Sequence, residues 1–315
     1  MHISSWLSWQ IDYLLFLQNF RDISGHIFDK FFLYITMFGE ITIPFWVICL
    51  FYWVLNKKVG QFILLSYILG FIANTIAKTT ACIYRPWILD CRVHPLPDAI
   101  PMATGYSFPS GHTAGAMSVW GGLAYSYWNN KILRYFCIFI VLAVMISRNY
   151  LGVHTPQDVV VSFFLALLML YVSKKVIDFS DKNNKNCLIV VGGIFLATIL
   201  TVLYVNIKPY PIHYLFGKIL YDPTPVKTEV IVRSGFIFGT FIGWLLEKNY
   251  INFIPENGTV LRKILRYILG VGLLIGITAL PIPVFTPIVE GFVKFFILGM
   301  FITCLYPFII KKCKI

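Results

Sequence analysis

Residues 187–206 read CLIVVGGIFLATILTVLYVN, twenty positions without one Asp, Glu, Lys or Arg. That is the length a helix needs to cross the hydrocarbon core of a bilayer, about 20 apolar residues. A membrane β-strand would alternate polar and apolar side chains. This run is continuous, so it reads as a helix. Comparable runs lie at roughly 41–55, 60–80, 112–128, 132–147, 157–173, 229–247, 264–283 and 288–310, which makes nine with the first. Residues 3–38 are mixed: Trp6, Leu7, Leu14, Phe16 and Phe20 are interrupted by Asp12, Arg21, Asp22, Asp29 and Lys30. They read as an interfacial helix plus a short re-entrant piece, with a tenth span as the alternative. The expected fold is all-α, a polytopic transmembrane helix bundle of about nine spans.

Composition agrees. Of 315 residues, 58% are hydrophobic and 13% charged, and the mean hydropathy is +0.76. A soluble domain carries about 25% charged residues, and one of this length could not hide so much apolar surface. Disorder is excluded on the same grounds. Seven cysteines in the whole chain are too few for a disulfide-built secreted module. The net charge of +12 would suggest nucleic acid in a soluble protein. In a membrane protein it is better explained by basic cytoplasmic loops, so no nucleic-acid partner is expected. The N-terminal MHISSWLSWQIDYLLF lacks a basic n-region and holds Asp12, so it does not read as a cleavable signal peptide.

The basic residues set an orientation. With the first span running inward, Lys57, Lys58, Lys131, Arg134, Lys174, Lys175, Lys182, Lys185, Lys248, Arg262, Lys263, Arg266, Lys311, Lys312 and Lys314 lie inside, 15 of the 26 Lys and Arg. The C-terminus is therefore expected in the cytoplasm, and residues 81–111, 148–156 and 207–228 outside. On that outer face Cys82 and Cys91 could form a disulfide or remain two thiols; both readings stay open.

Three polar clusters fall on the outer face. Lys78 and Arg85-Pro86 stand in KTTACIYRP, Ser110-Gly111-His112 in SFPSGHTAG, and Ser147-Arg148, His154 and Asp158 in SRNYLGVHTPQD. The first closes the second span and the second opens the third. Two further crossings then return the chain to the same side for the third cluster. One basic residue at a span end is usually an anchor that snorkels to the interface, and one SGH at a helix start is usually a cap. Three such clusters on one face are harder to explain that way.

Their chemistry suits a phosphate. Arg forks pair with phosphate oxygens two at a time. Ser110 and Gly111 precede a helix whose free N–H groups favour an anion. His154 and Asp158 are four apart, so in helical geometry they share a face. The carboxylate could then hold one ring nitrogen and leave the other as a nucleophile. Two His and one Asp in this order match no metal-ligand spacing well.

In combination these clusters resemble the signature of the type 2 phosphatidic acid phosphatase superfamily, K-x6-RP, PSGH and SR-x5-H-x3-D, with both internal spacings met. That family includes membrane phosphatases for lipid phosphates and isoprenoid diphosphates, and also glucose-6-phosphatase. The resemblance implies that Lys78, Arg85, Ser110, Gly111, His112 and Arg148 hold the phosphate. It implies that His154 attacks phosphorus to form a phosphohistidine and that Asp158 orients His154. His112 would protonate the leaving oxygen and then assist water. It further implies no metal and no other cofactor. The substrate is expected to be a lipid phosphomonoester or diphosphate entering sideways from the membrane, in a multi-pass protein of the cell membrane with an extracytoplasmic active site.

The resemblance covers residues 78–158 directly. The catalytic membrane core is expected over 1–178, and 187–310 forms a C-terminal extension of about four more spans. The loop 207–228, KPYPIHYLFGKILYDPTPVKTE, is aromatic and lies on the active face. It is expected to narrow the site and help select the substrate. Three other readings use the same residues: a phosphosugar phosphatase, a phosphoryl transferase, and a non-enzymatic transporter of phospholipid or phosphate, which would need no nucleophilic His.

Overall fold

The computed structural model describes residues 5–215, 218–280 and 286–313. Its helices are α1 (Ser5–Ile23), α2 (Asp29–Thr36), α3 (Thr42–Leu55), α4 (Lys57–Ala81), the single turn α5 (Pro86–Leu89) and α6 (111–126). They continue as α7 (Lys131–Tyr150), α8 (Pro156–Ser180), α9 (Asn184–Ile207), α10 (Thr224–Ile251), α11 (Val260–Ala279) and α12 (Pro287–Cys313). Between α9 and α10 lies a small antiparallel hairpin, β1 (Tyr214–Leu215) and β2 (Lys218–Ile219). Helix starts are marked in the sequence. Asn130, Asn183 and Thr259 each accept a backbone N–H of the first turn of α7, α9 and α11, and Pro156 opens α8, where its missing N–H costs little.

The fold is all-helical apart from that hairpin. Among the described residues six helices are long and apolar enough to cross a membrane: the α4–α5 stretch Lys57–Leu89, α7, α8, α9, α10 and α12. The other three expected segments are helical but differ in kind. α3 is apolar but short. α6 is short and carries a π turn at Met117–Gly121. α11 carries Arg262, Lys263 and Arg266 in its first two turns, and the end of its expected segment, 281–283, lies outside the described residues. The region read as an interfacial helix and a re-entrant piece holds α1 and α2.

The chain packs as two compact units. The first comprises Met1–Pro44, Leu69–Tyr171 and Pro209–Pro223. At its centre α7 is flanked by α1, α2 and α6. Phe32 of α2 stacks on Tyr150 of α7 with ring centroids 4.1 Å apart, and the Tyr150 hydroxyl donates to Asp29 at 2.7 Å. Gly39 lets the chain after α2 approach closely, since a Cβ there would strike the carbonyl of His112 and the Val144 side chain. The loop between α5 and α6 is fixed from two sides. Arg21 donates to the His94 carbonyl at 2.9 Å, and the Leu96 N–H to the Leu151 carbonyl at 3.0 Å. Cys82 and Cys91 are both free thiols.

The second unit comprises Phe45–Ile68, Val172–Lys208 and Thr224–Ile315. Its tightest seam joins α10 and α12. Added Cβ atoms at Gly235 and Gly239 would meet the carbonyls of Phe292 and Phe296, and one at Gly299 the carbonyl of Phe236. Small residues four apart let two helix backbones touch, which is how membrane helices gain dispersion energy where lipid removes the hydrophobic drive. At one end of this unit the buried Glu247 pairs with Lys57 at 2.8 Å. The buried Arg266 donates to the carbonyls of Trp53, Pro255 and Asn257 at 2.8–3.1 Å. Each charge thus has the partners that burial demands.

Candidate active site

All eight site residues expected from the sequence lie in the first unit. Lys78 stands in the last turn of α4 and Arg85 at the N-terminus of α5. Ser110 caps α6, with Gly111 and His112 in its first turn. Arg148 ends α7, His154 lies in the turn that follows, and Asp158 is in the first turn of α8. Gly152, with φ of +72°, lets that turn close: a Cβ on it would lie 3.1 Å from Pro95.

Backbone bonds weld the second and third clusters. The Ser110 N–H donates to the Asp158 carbonyl at 3.0 Å, and the Ser162 hydroxyl to the Ser110 carbonyl at 2.6 Å. Side chains join the first cluster to the third. Arg85 donates from Nη1 to His154 Nε2 at 3.0 Å and to the Val153 carbonyl at 2.9 Å. Its Nε and Nη2 go to the carbonyls of Gly105 and Thr104 at 3.0 and 2.7 Å. Lys78 donates to the carbonyls of Tyr106 and Pro109 at 2.8 and 2.9 Å. Both cations are thus held by main-chain oxygens of the loop that leads into α6.

The tautomer of His154 follows from its partners. A guanidinium has no acceptor, so Nε2 must offer a lone pair to Arg85 and the ring proton sits on Nδ1. Nδ1 faces Asp158 Oδ2 at 3.3 Å and the Ser107 hydroxyl at 3.4 Å. Burial first, then the nearby cations of Arg85, Arg148 and Lys78, push the His154 pKa well below the ordinary imidazole range. His154 is therefore neutral at pH 7, with its proton directed at a carboxylate. Asp158 Oδ2 also accepts the Ser107 hydroxyl at 2.5 Å and the Thr155 N–H at 2.8 Å.

Arg148 is fully buried. Its Nη1 donates to the Thr36 hydroxyl at 2.9 Å, while Nε and Nη2 have no partner among the described residues. His112 Nε2 is likewise buried and unpartnered. Unsatisfied buried donors on a cation are costly, about 1–3 kcal/mol or more each, and call for an explanation. Two N–H groups on one edge of a guanidinium match a bidentate oxyanion. Among the described residues no group of three His, Cys, Asp or Glu side chains could hold a metal.

Two members of this constellation escaped the sequence reading. Ser107 lies in SFPSGH, but its link to Asp158 spans 51 positions and no local spacing announces it. Thr36 comes from a segment read as membrane-interfacial, 112 positions from Arg148.

Residues 60–182 match the PAP2 superfamily, and residues 231–315 match the transmembrane extension of PAP2 superfamily phosphatases. An undecaprenyl-diphosphatase of Sulfolobus acidocaldarius is 26% identical over 121 residues, 38% of this chain and 56% of the relative. A phosphatidylglycerophosphatase B of Bacillus subtilis is 33% identical over 102 residues, 29% of this chain and 48% of the relative. The chain thus spans about half the length of the curated relatives it matches. No solved structure matches it. The transmembrane extension and the six long apolar helices make this a multi-pass membrane protein. With three polar clusters gathered around one buried histidine, and two family models matched in succession along its length, the chain belongs to the PAP2 superfamily.

Proposed function

We propose that the protein is a membrane phosphatase that hydrolyses a phosphomonoester or diphosphate on a lipid, at the extracytoplasmic face, without a metal. The observation that carries this reading is the pairing at His154: a neutral ring with its proton toward Asp158 and its Nε2 lone pair on the side of Arg85. That is a nucleophile held in its reactive tautomer beside a cation that can bind the group to be attacked.

In this mechanism the substrate phosphoryl group takes the free edge of Arg148 and draws Lys78 and Arg85 to its oxygens, with the N–H groups at the start of α6 completing the cradle. Arg85 turns from Nε2 to phosphate oxygen, which frees the lone pair. Nε2 forms a bond to phosphorus as the bond from phosphorus to the lipid oxygen breaks. His112 takes up a proton once the bound phosphate offsets the cations around it and, as an imidazolium, gives that proton to the leaving oxygen, while Asp158 balances the positive charge that grows on the His154 ring. Water then attacks the phosphohistidine, His112 takes a proton from it, and the P–N bond breaks to give inorganic phosphate. Little covalent work falls to the protein beyond the nucleophile, since phosphoryl transfer is mostly positioning and charge stabilisation. A lipid substrate is supported by the activities for which the two relatives are named and by a site at the ends of membrane-length helices. Residues 1–178 would carry the chemistry, with 187–310 as an extension.

The test is phosphate release by the purified, detergent-solubilised protein with EDTA present, with His154→Ala beside it. The panel is phosphatidate, phosphatidylglycerol phosphate, an isoprenoid diphosphate, sphingosine phosphate and glucose 6-phosphate. Release that survives EDTA and disappears in the variant supports the proposal, and the panel ranks the substrates. Full activity in His154→Ala would refute the mechanism. Release from glucose 6-phosphate alone would refute the lipid substrate while keeping the chemistry.

A further inference from the structure

The segment Pro209–Pro223 packs with the first unit, although the helices on either side of it, α9 and α10, belong to the second. It lies beyond the 60–182 match. What it touches is specific. The Tyr221 ring lies against Tyr106 with centroids 4.0 Å apart, and Tyr210 stacks on Tyr106 at 6.4 Å with planes 9° apart. The Tyr221 hydroxyl lies over Gly105, 3.5 Å from where a Cβ would be. His213 Nδ1 meets the Tyr84 hydroxyl at 2.8 Å, and Tyr84 in turn contacts Tyr106 at 5.9 Å. The segment is braced by its hairpin and by the Leu220 N–H donating to the His213 carbonyl at 2.9 Å.

Tyr84, Gly105 and Tyr106 each belong to or adjoin a cation or its anchor. The Tyr106 carbonyl takes Lys78 and the Gly105 carbonyl takes Arg85. Tyr84 immediately precedes Arg85, and the Ser107 N–H donates to the Ile83 carbonyl at 2.8 Å. Tyr106 is buried to 1% exposure. Residues 104–107 have no helix or sheet ladder to hold them, so the rings on Tyr106 supply the restraint that secondary structure supplies elsewhere.

We propose that this segment is a clamp on the phosphate-binding loop, and that Tyr221 and His213 are positioning residues. They hold Gly105 and Tyr106 so that the carbonyls aim Lys78 and Arg85 at the substrate phosphate. This rests on the phosphatase reading and deepens it: a stretch outside the matched catalytic domain sets the affinity of the site for phosphate. The chemistry predicts its own signature. Ring loss loosens the cations, which weakens binding of any phosphate irrespective of what it is attached to. It leaves His154 and Asp158 in place.

The experiment uses full-length protein and two readouts, the inhibition constant of inorganic phosphate and the kcat and KM of the best substrate. Tyr221→Ala is expected to raise the inhibition constant and KM about tenfold, with kcat less affected. Tyr221→Phe, which keeps the ring, should recover most of that. His213→Ala should move the same two quantities in the same direction by a smaller factor. In a double-mutant cycle with Lys78→Ala the Tyr221→Ala effect should shrink, because part of it acts through Lys78. A folded Tyr221→Ala protein with unchanged phosphate inhibition overturns the proposal, as does full additivity with Lys78→Ala. An unfolded Tyr221→Ala leaves the His213→Ala comparison to decide on the same criteria. Absence of phosphate release from the wild type would instead refute the phosphatase reading, so the two failures are distinct.

Discussion

Ser107→Ala deletes the one hydroxyl that faces both His154 and Asp158. Its oxygen lies 2.5 Å from Asp158 Oδ2 and 3.4 Å from His154 Nδ1, and the residue is fully buried, so bulk water does not replace it. A hydrogen bond to a charged group contributes about 1.5–3 kcal/mol. Asp158 Oδ2 keeps the Thr155 N–H at 2.8 Å and the His154 Nδ1–H at 3.3 Å, so the lower end of that range applies. In the proposed mechanism Asp158 is ionised before and during the attack. Only the part of the bond that strengthens as the imidazole becomes positive therefore affects the rate. About 1.4 kcal/mol is tenfold in rate, which sets an expected fall in kcat of about three- to tenfold with KM nearly constant. Asp158→Asn, which removes the charge itself, should cost about 10²- to 10⁴-fold. The assay is steady-state phosphate release, with thermal unfolding in the same detergent to confirm folding. Wild-type kcat in Ser107→Ala would show that the hydroxyl does not support the Asp158–His154 pair. Complete loss in a folded protein would refute the supporting role from the other side and place Ser107 in the chemistry.

Three further outcomes follow from other parts of the structure. His154 must be neutral to attack, and its pKa lies well below the ordinary value of about 6.5. The neutral form persists as pH falls through that value, so kcat/KM should show no His154 limb centred at or above it; a limb there that shifts in Asp158→Asn would contradict the burial argument. Thr36→Val removes the hydroxyl that accepts from Arg148 Nη1, which leaves a buried cation without that acceptor. A loss of about 1–3 kcal/mol in stability is expected, read by chemical unfolding, and an unchanged midpoint would refute it. Gly239→Leu drives a side chain into the Phe296 carbonyl across the α10–α12 seam. Overpacking of this kind costs about 1–3 kcal/mol or more; a variant as stable as the wild type would show that the seam is looser than described.

The helices and the three clusters were legible because their signals are local. A continuous apolar run specifies its own helix, and the short spacing from His154 to Asp158 keeps the two side chains close across the turn that leads into α8. Span length was less legible where the helix itself departs from a simple apolar rod. The π turn at Met117–Gly121 leaves no mark in mean hydropathy, and the segment expected at 264–283 starts just past Arg262 and Lys263, which α11 includes. Ser107 and Thr36 were hidden for a different reason. Each is an ordinary hydroxyl residue whose partner is supplied by tertiary packing, and neither carries a pattern of its own. The aromatic loop 207–228 was noticed for its composition. Its attachment to Tyr84 and Tyr106 depends on a return of the chain to the first unit that hydropathy does not encode.

Lys78 and Arg85 donate to the carbonyls of residues 104, 105, 106, 109 and 153. Carbonyl dipoles satisfy these donors without cancelling the charge. They also belong to the main chain, which every amino acid carries. The side chains of Thr104 and Val153 can therefore change in size and polarity while the two cations stay aimed. Such an arrangement separates the part of the site that must be kept from the part that is free to drift, and lets one charge cradle be refitted to differently shaped phosphate esters.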